Sequence, residues 1–226
     1  MTKAQFSAME AYMLSCMQDS AHDAEHVYRV LYHALIIAKS EPNVDYDVLI
    51  ASCLLHDIAR QEQFANPKLC HALLGGVKAF DFLVAQGYPV DFAEKVKHCI
   101  QTHRFRKNNE PQSLEAKILF DADKLDVAGA TGIARTLLYK GIVSEPIYTV
   151  RPDGTVSDGA GDALPSFFQE YKYKLENLYS KFYTRKGKEL ALMRKDAAVR
   201  FYESLLHEVQ EEYELGRCEL KSILGT

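Results

Sequence analysis

The segment 47–60, which reads DVLIASCLLHDIAR, constrains the fold more than any other part of the sequence. It is apolar on nearly every side until its last turn, and a helix of that kind is buried inside a larger structure. Its polar end carries His56 and Asp57. An ionised aspartate beside a buried core is costly unless it is paired or coordinates a cation. The segment therefore predicts a central, buried helix with a cation site at its polar end.

Other helices are predicted where apolar residues recur every three to four positions. Such a stripe runs through 20–40, and another begins at residue 69 and ends before Gly87, which is typical of a helix C-terminus. Further helices are predicted at 92–102, 113–126, 127–140, 165–183 and 188–213. The only candidate for paired strands is a small hairpin at 150–156. The predicted fold class is therefore all-α.

A length of 226 residues is typical of one large domain or two small ones, and we predict a single domain over 1–226. We expect its core at about 20–140 and its C-terminal helices at 166–215. Between them, 141–165 is rich in glycine and proline and is longer than a usual connection. This turn-rich stretch has two interpretations, a lid that closes over substrate and an unstructured segment.

Composition and charge exclude several functions. The formal net charge is −4, so no overall basic field attracts a nucleic acid backbone, and we do not expect nucleic acid as the main partner. No apolar run approaches the roughly 20 residues that cross a bilayer, so we expect no membrane segment and a cytoplasmic protein. The five cysteines form no Cys-x-x-Cys pair, which argues against a disulfide framework and a zinc ribbon. The sequence also contains no glycine-rich phosphate loop and no nucleophile elbow.

Histidines beside acids are the clearest chemical signal. His22 and His26 are four residues apart and project from one face of a helix, and His56 precedes Asp57 directly. Imidazole nitrogen and carboxylate oxygen together suit divalent ions such as Mn²⁺, Fe²⁺, Co²⁺, Ni²⁺ or Zn²⁺. These residues therefore predict a divalent metal site.

A third acid cluster contains three aspartates within one predicted helix. Asp123 and Asp126 share a face, while Asp121 points about 160° away from Asp123, so at most two of the three can reach one ion. We expect the carboxylates that do not reach the ion to form a solvated face.

Two long motifs give the chain a resemblance to a known family. One reads HDAEHVYRV at 22–30, and the other reads DADKLDVAGATGIAR at 121–135. With His56 and Asp57 between these motifs, the chain resembles the HD-domain metal-dependent phosphohydrolases, and more narrowly the small bacterial HD hydrolases. The resemblance covers about residues 20–210.

This resemblance implies a bundle of helices around a bound metal ion. It assigns four metal ligands, which are His26, His56, Asp57 and Asp123. His71 and His103 occupy the order in which two-metal relatives place additional histidines, and Asp57 would then bridge the ions. The alternatives for His71 are to orient a substrate phosphate or to pack beside Cys70.

The predicted activity is hydrolysis of a nucleotide or another small phosphate ester by a water that a divalent ion activates. We expect Asp57 and His22 to be catalytic, with His22 either donating to the leaving oxygen or supporting a metal ligand. Many relatives carry a water-activating acid within one turn of the His-Asp pair, and here the nearest acid is Glu62. The basic residues expected to bind substrate are Arg29, Lys124, Arg104 and Arg135. An ion pair with a nearby helix is the alternative for Arg135.

Two other function classes stay open at this point. One is a di-iron oxygenase that uses the same ligands, and the other is a non-catalytic module that binds a metal or a nucleotide. The metal can be Mn, Mg, Co, Ni, Fe or Zn, and a homodimer is one option for the oligomeric state.

Overall fold

The structure is a computed structural model, and it describes residues 1–17, 24–104 and 109–225. The chain divides into two compact units. The first unit comprises Met1–Asp126 and Phe182–Lys188, and the second comprises Val127–Lys181 and Glu189–Thr226. The described residues form helices and turns with no strand, which confirms the predicted all-α class. The single domain over 1–226 stays a prediction.

The first unit contains seven complete helices in the part of the chain that the structure describes. They are α1 (Lys3–Cys16), α2 (Ala24–Ala38), α3 (Tyr46–Leu55), α4 (Arg60–Ala65), α5 (His71–Ala85), α6 (Val90–Thr102) and α7 (Leu114–Leu125). Helix α3 packs against α1, α2, α5, α6 and α7. Its side chains Leu49, Leu54 and Leu55 are fully buried, and each contributes about 1.5–3 kcal/mol by leaving water. The predicted central helix is therefore confirmed.

Helix α3 ends five residues earlier than the apolar pattern predicts. It stops at Leu55, and 56–59 form a buried turn before α4 begins at Arg60. Apolar residues indicate burial, but they do not show where a helix ends. Because Ile58 and Ala59 are apolar and buried, the sequence pattern does not reveal this turn. The turn places His56 and Asp57 where the chain changes direction.

Helices α5 and α6 approach each other closely. A Cβ atom on Gly76 would lie 2.6 Å from Cγ of Gln101 and 3.0 Å from the Lys97 carbonyl oxygen, so a larger residue there would press on the backbone of α6. Gly87 lies just after the C-terminal end of α5, as predicted, and its φ is +80°. The amides of Gly87 and Tyr88 donate to the carbonyls of Val84 and Leu83, a pattern that closes a helix C-terminus.

Two helices of the first unit were not predicted. Helices α1 and α4 are short or weakly amphipathic, so their apolar periodicity is faint. Positions 20–23 of the predicted stripe, which include His22, lie outside the described residues.

The second unit contains α8 (Gly129–Ile142), α9 (Phe167–Glu170), a π-helical turn (Tyr171–Leu175) and a 3₁₀ turn (Leu178–Ser180). Helix α10 (Arg185–Leu224) begins in the first unit and continues in the second. The continuous helix predicted at 165–183 is wrong, because the Glu176 amide donates to the Tyr171 carbonyl and widens the turn. The Tyr171 ring is nevertheless buried, stacked at 3.9 Å on Tyr202.

The turn-rich stretch 141–165 contains the predicted hairpin. Val150 and Val156 form an antiparallel bridge, and Gly154 lies at the tip with φ +81. Its role as a lid stays a prediction. Among the described residues, every helix is too short or too polar to cross a bilayer.

Candidate metal centre

The first unit brings together six side chains that the sequence analysis proposed as metal ligands. They are His26, His56, Asp57, His71, His103 and Asp123. They come from α2, the turn after α3, the first residue of α5, the C-terminal cap of α6, and α7. Five of them are at most 2% exposed, while the side chain of Asp123 is 25% exposed. The site is therefore buried and opens to solvent at Asp123.

Backbone carbonyls fix two of the four imidazoles. His56 donates from Nδ1 to the Cys53 carbonyl oxygen at 2.8 Å, and His103 donates from Nδ1 to the Ile100 carbonyl oxygen at 2.6 Å. A carbonyl oxygen only accepts, so Nδ1 carries the proton in both neutral rings. Each Nε2 is then left with a lone pair that can bind a metal.

Side-chain oxygens fix the other two imidazoles in the same way. His26 donates from Nδ1 to Asp126 Oδ2 at 2.7 Å, and His71 donates from Nδ1 to Gln63 Oε1. Hydrogen bonds of this kind select the tautomer and hold the ring plane of a metal-binding histidine. All four rings therefore present an unprotonated Nε2.

The four Nε2 atoms meet in two pairs. His26 Nε2 lies 3.4 Å from His56 Nε2, and His71 Nε2 lies 3.3 Å from His103 Nε2. Two unprotonated nitrogens at this distance point their lone pairs at the same region and repel each other. A cation that both nitrogens bind removes that repulsion.

Asp57 lies between the two pairs. Its Oδ2 is 3.5 Å from His26 Nε2 and 3.6 Å from His56 Nε2. Its Oδ1 is 3.4 Å from His71 Nε2 and 3.7 Å from His103 Nε2. Both oxygens are buried, and neither has a hydrogen-bond partner among the described residues. Buried oxygens without hydrogen bonds are costly, and cation binding offsets that cost.

The six side chains divide into two groups of three whose donor atoms lie within 4.8 Å of one another. The groups are His26 with His56 and Asp123, and Asp57 with His71 and His103. Neutral imidazole nitrogens and carboxylate oxygens are ligands that borderline divalent ions accept. The buried cluster therefore fits a divalent metal site.

The protonation states in the cluster are those that bind a metal. Burial opposes charge on Asp57, but the neighbouring Arg60 guanidinium favours the charged form, and the pKa of that carboxyl lies well below its usual range. Burial lowers the pKa of His71 to about 2 and that of His103 to about 4. Near neutral pH these two imidazoles are therefore uncharged, which is the form that binds a metal.

Asp126 is a member of the site that the sequence analysis missed. Its carboxylate is fully buried and binds the Arg29 guanidinium, with Arg29 Nε 2.7 Å from Oδ1, as well as His26. The expected solvated face is therefore wrong for Asp126, because α2 covers it. Its position three residues after Asp123 was the available signal.

Asp121 also departs from the expected solvated face. It is fully buried and accepts hydrogen bonds from the amides of Tyr183 and Thr184 and from the Thr184 hydroxyl. Its carboxylate therefore fixes the start of α10 and does not reach the metal cluster.

The basic residues predicted to bind substrate have varied surroundings. The Lys124 ammonium lies 3.9 Å from the centroid of the Phe120 ring, and Arg104 Nη1 lies 4.0 Å from Cys70 Sγ. Arg135 belongs to α8 in the second unit. Their roles in substrate binding stay predictions, as does the predicted catalytic role of His22, which lies outside the described residues.

Glu62, the acid nearest to the His-Asp pair, is engaged elsewhere. Its carboxylate accepts a hydrogen bond from the Lys78 ammonium, which also donates to the Ile58 carbonyl at 3.0 Å. The Lys78 contact lowers the pKa of Glu62 against the effect of burial. Glu62 therefore braces α4 against α5.

The fold and the cluster define a known class. The model of the HD domain family matches residues 23–128, which include all six candidate ligands. The uncharacterized protein YpgQ of Bacillus subtilis (strain 168) is 30% identical over 193 residues, which cover 83% of this chain and 84% of that protein. The chain belongs to the HD domain family.

Solved structures agree over nearly the whole chain. A protein from Lactobacillus plantarum matches with a TM-score of 0.72 and 26% identity, covering 92% of this chain and 98% of that one. A predicted HD superfamily hydrolase from an uncultured Thermotogales bacterium has a TM-score of 0.60 and 28% identity, covering 88% and 90%. Bacillus subtilis YpgQ in complex with ADP has a TM-score of 0.70 and 26% identity, covering 91% and 98%.

Proposed function

We propose that the protein is a divalent-metal-dependent phosphohydrolase that acts on a nucleotide or another small phosphate ester. The observation that carries this proposal is Asp57, whose two buried oxygens have no hydrogen-bond partner among the described residues and each face a pair of Nε2 atoms. Hydrolysis is the class named for the Thermotogales relative, and a divalent ion is the reagent that such a donor set can hold.

In this proposal one ion is held by His26, His56, Asp57 and Asp123, and a second by Asp57, His71 and His103. A bound divalent ion lowers the pKa of water to near 7 and neutralises charge on phosphate oxygens. The protein contributes rigidity, because each imidazole is held at Nδ1 and keeps Nε2 unprotonated. Asp123 is the most exposed of the six ligands, so substrate enters on its side.

The nucleotide is the proposed substrate class. YpgQ of Bacillus subtilis has been crystallised in complex with ADP, which supports a nucleotide ligand for a relative of similar fold. Arg104 and Lys124, which directly follow the candidate ligands His103 and Asp123 in the sequence, would neutralise phosphate charge. We keep both residues as proposed substrate contacts.

A panel of nucleoside mono-, di- and triphosphates and simple phosphate esters tests the proposal. Turnover is expected to depend on added Mn²⁺, Co²⁺, Ni²⁺ or Mg²⁺, and released phosphate and pyrophosphate identify the bond that breaks. Asp57→Ala should lower kcat at least about 10³-fold with helix content retained, since the carboxylate touches both proposed ions. Asp91→Ala, an exposed aspartate of α6, is the matched control and should stay fully active. Full activity of Asp57→Ala would reject the assignment.

A di-iron oxygenase is the second candidate, because a carboxylate between two histidine pairs also suits two iron ions. Iron content after expression and oxygen consumption with candidate substrates distinguish it from the hydrolase. Metal and nucleotide binding without any product from the panel would instead identify a non-catalytic module.

A further inference from the structure

Arg60 contacts the carboxylate at the middle of the cluster. It is the first residue of α4, and its Nε lies 3.0 Å from Asp57 Oδ2. Neither atom has a hydrogen-bond partner within the described ranges, so the N–H group is not directed at the oxygen. The contact is therefore one of opposite charges, and it does not orient the carboxylate as a hydrogen bond would.

The Arg60 side chain extends from this buried contact to the surface. It is 27% exposed, whereas the side chain of Asp57 is 1% exposed. The contacted oxygen, Oδ2, is the one that faces His26 and His56. Any cation bound there shares its carboxylate oxygen with a guanidinium, and like charges within a few ångströms repel each other strongly.

We propose that Arg60 sets how tightly the centre holds a divalent cation and then binds the anion that the loaded centre attracts. Its charge neutralises Asp57, so an incoming ion competes with it for the carboxylate. Once an ion has taken that carboxylate, the charge of the guanidinium is no longer balanced, and 27% of the side chain is open to solvent. A phosphate oxygen fits such a position, because arginine offers paired N–H donors in a fixed plane.

The anion step rests on the proposed function, since it assumes that a phosphate reaches the loaded centre. The metal step is independent of it. Two substitutions of Arg60 separate the effect of its charge from the effect of its shape. Lysine keeps the positive charge, and glutamine removes the charge but keeps much of the side-chain length.

Calorimetric titration with Mn²⁺ tests the metal step. Arg60→Gln should bind the ion at least about tenfold more tightly than the unchanged protein, because a competing positive charge is gone. Arg60→Lys should stay within about threefold, because the charge remains. The control Lys95→Gln removes a positive charge from an exposed position on α6 and should bind as the unchanged protein does. Equal or weaker binding by Arg60→Gln would overturn the proposal.

A second variant protects the test against misfolding. Arg60→Met removes the charge with an apolar side chain of similar reach, and it should also bind Mn²⁺ at least about tenfold more tightly. Circular dichroism shows which of the two variants keeps the helix content of the unchanged protein, and that variant is compared with the unchanged protein.

Titration of the Mn²⁺-loaded proteins with inorganic phosphate tests the anion step. Arg60→Gln should bind phosphate at least about tenfold more weakly than the unchanged protein, with Arg60→Lys between them, because a charge-assisted contact is lost. Equal phosphate affinity in all three proteins would overturn this step. Neither titration measures turnover, so failure to cleave any ester rejects the proposed function and leaves both results standing.

Discussion

Asp126 illustrates at the scale of single residues how the site is held in place. The carboxylate is fully buried; its Oδ2 accepts from His26 and from Arg29 Nη2, and its Oδ1 accepts from Arg29 Nε. Arg29 was predicted to contact substrate, and the structure pairs it with Asp126. A buried carboxylate that accepts from the far nitrogen of a metal-binding histidine fixes the ring and raises its basicity.

The first prediction concerns this carboxylate. Asp126→Asn should weaken Mn²⁺ binding about 10- to 100-fold, because His26 loses its charged acceptor. Calorimetric titration measures the change. Asp91→Asn on the exposed face of α6 is the control and should have no effect. Unchanged affinity in Asp126→Asn would show that His26 does not bind the ion.

The second prediction concerns the number of ions. Equilibrium dialysis followed by elemental analysis should find two Mn²⁺ per chain, and His103→Gln should reduce the number to one, because the second proposed ion loses one of its two imidazoles. The control His98→Gln changes an exposed histidine of the same helix and should keep two ions. Finding a single ion in the unchanged protein would contradict the second proposed metal site, at Asp57, His71 and His103.

At the scale of helices, the start of α10 is anchored on α7. Asp121 Oδ1 accepts from the Tyr183 amide at 2.9 Å, and Oδ2 accepts from the Thr184 amide at 2.7 Å. Gly187 is required for this approach, since a Cβ atom there would lie 2.6 Å from Asp121 Oδ2. The anchor lies two residues before Asp123, so it also steadies the part of α7 that carries a proposed ligand.

The third prediction follows from this anchor. Asp121→Ala should lower the free energy of unfolding by about 2–4 kcal/mol, because two amides and a hydroxyl lose their acceptor in a buried place. Urea unfolding followed by circular dichroism measures it. Asp81→Ala, an exposed position on α5, is the control. A loss below about 0.5 kcal/mol, typical of a surface position, would contradict the anchoring role.

At the scale of the whole molecule, the sequence predicts the fold class, and it names six ligand candidates that the structure brings close together. Periodic apolar residues identify most helices, and the nearly uniform apolar character of 47–60 identifies the central one. The motifs around His26 and Asp123 carry the resemblance that selects the proposed metal ligands. These features are local, so a single sequence contains them.

Features that depend on contacts between distant residues could not be predicted. The pairing of Asp126 with Arg29 requires α2 and α7 to lie side by side, and a helical wheel of either segment alone does not reveal that. The π-helical turn that begins at Tyr171 is a local feature, but it depends on a hydrogen bond from the Glu176 amide to the Tyr171 carbonyl, which no residue type in the segment marks. Burial of Asp121 likewise depends on a chain segment about 60 residues away.

The fourth prediction concerns the stability of the chain. A ligand at 100 times its dissociation constant stabilises the folded state by about 2.7 kcal/mol, so saturating Mn²⁺ should raise Tm by about 5–11 °C. Differential scanning calorimetry measures the shift. Asp57→Ala should lose most of it, whereas His207→Ala, an exposed histidine on α10, should keep all of it. An equal shift in Asp57→Ala would place the stabilising ion elsewhere.

Anomalous X-ray diffraction from crystals soaked in MnCl₂ tests the central claim most directly. The account predicts one anomalous peak within about 2.0–2.4 Å of His26 Nε2, His56 Nε2 and an Asp57 oxygen, and a second beside His71 and His103. Strong peaks elsewhere on the protein, with none at Asp57, would contradict the account.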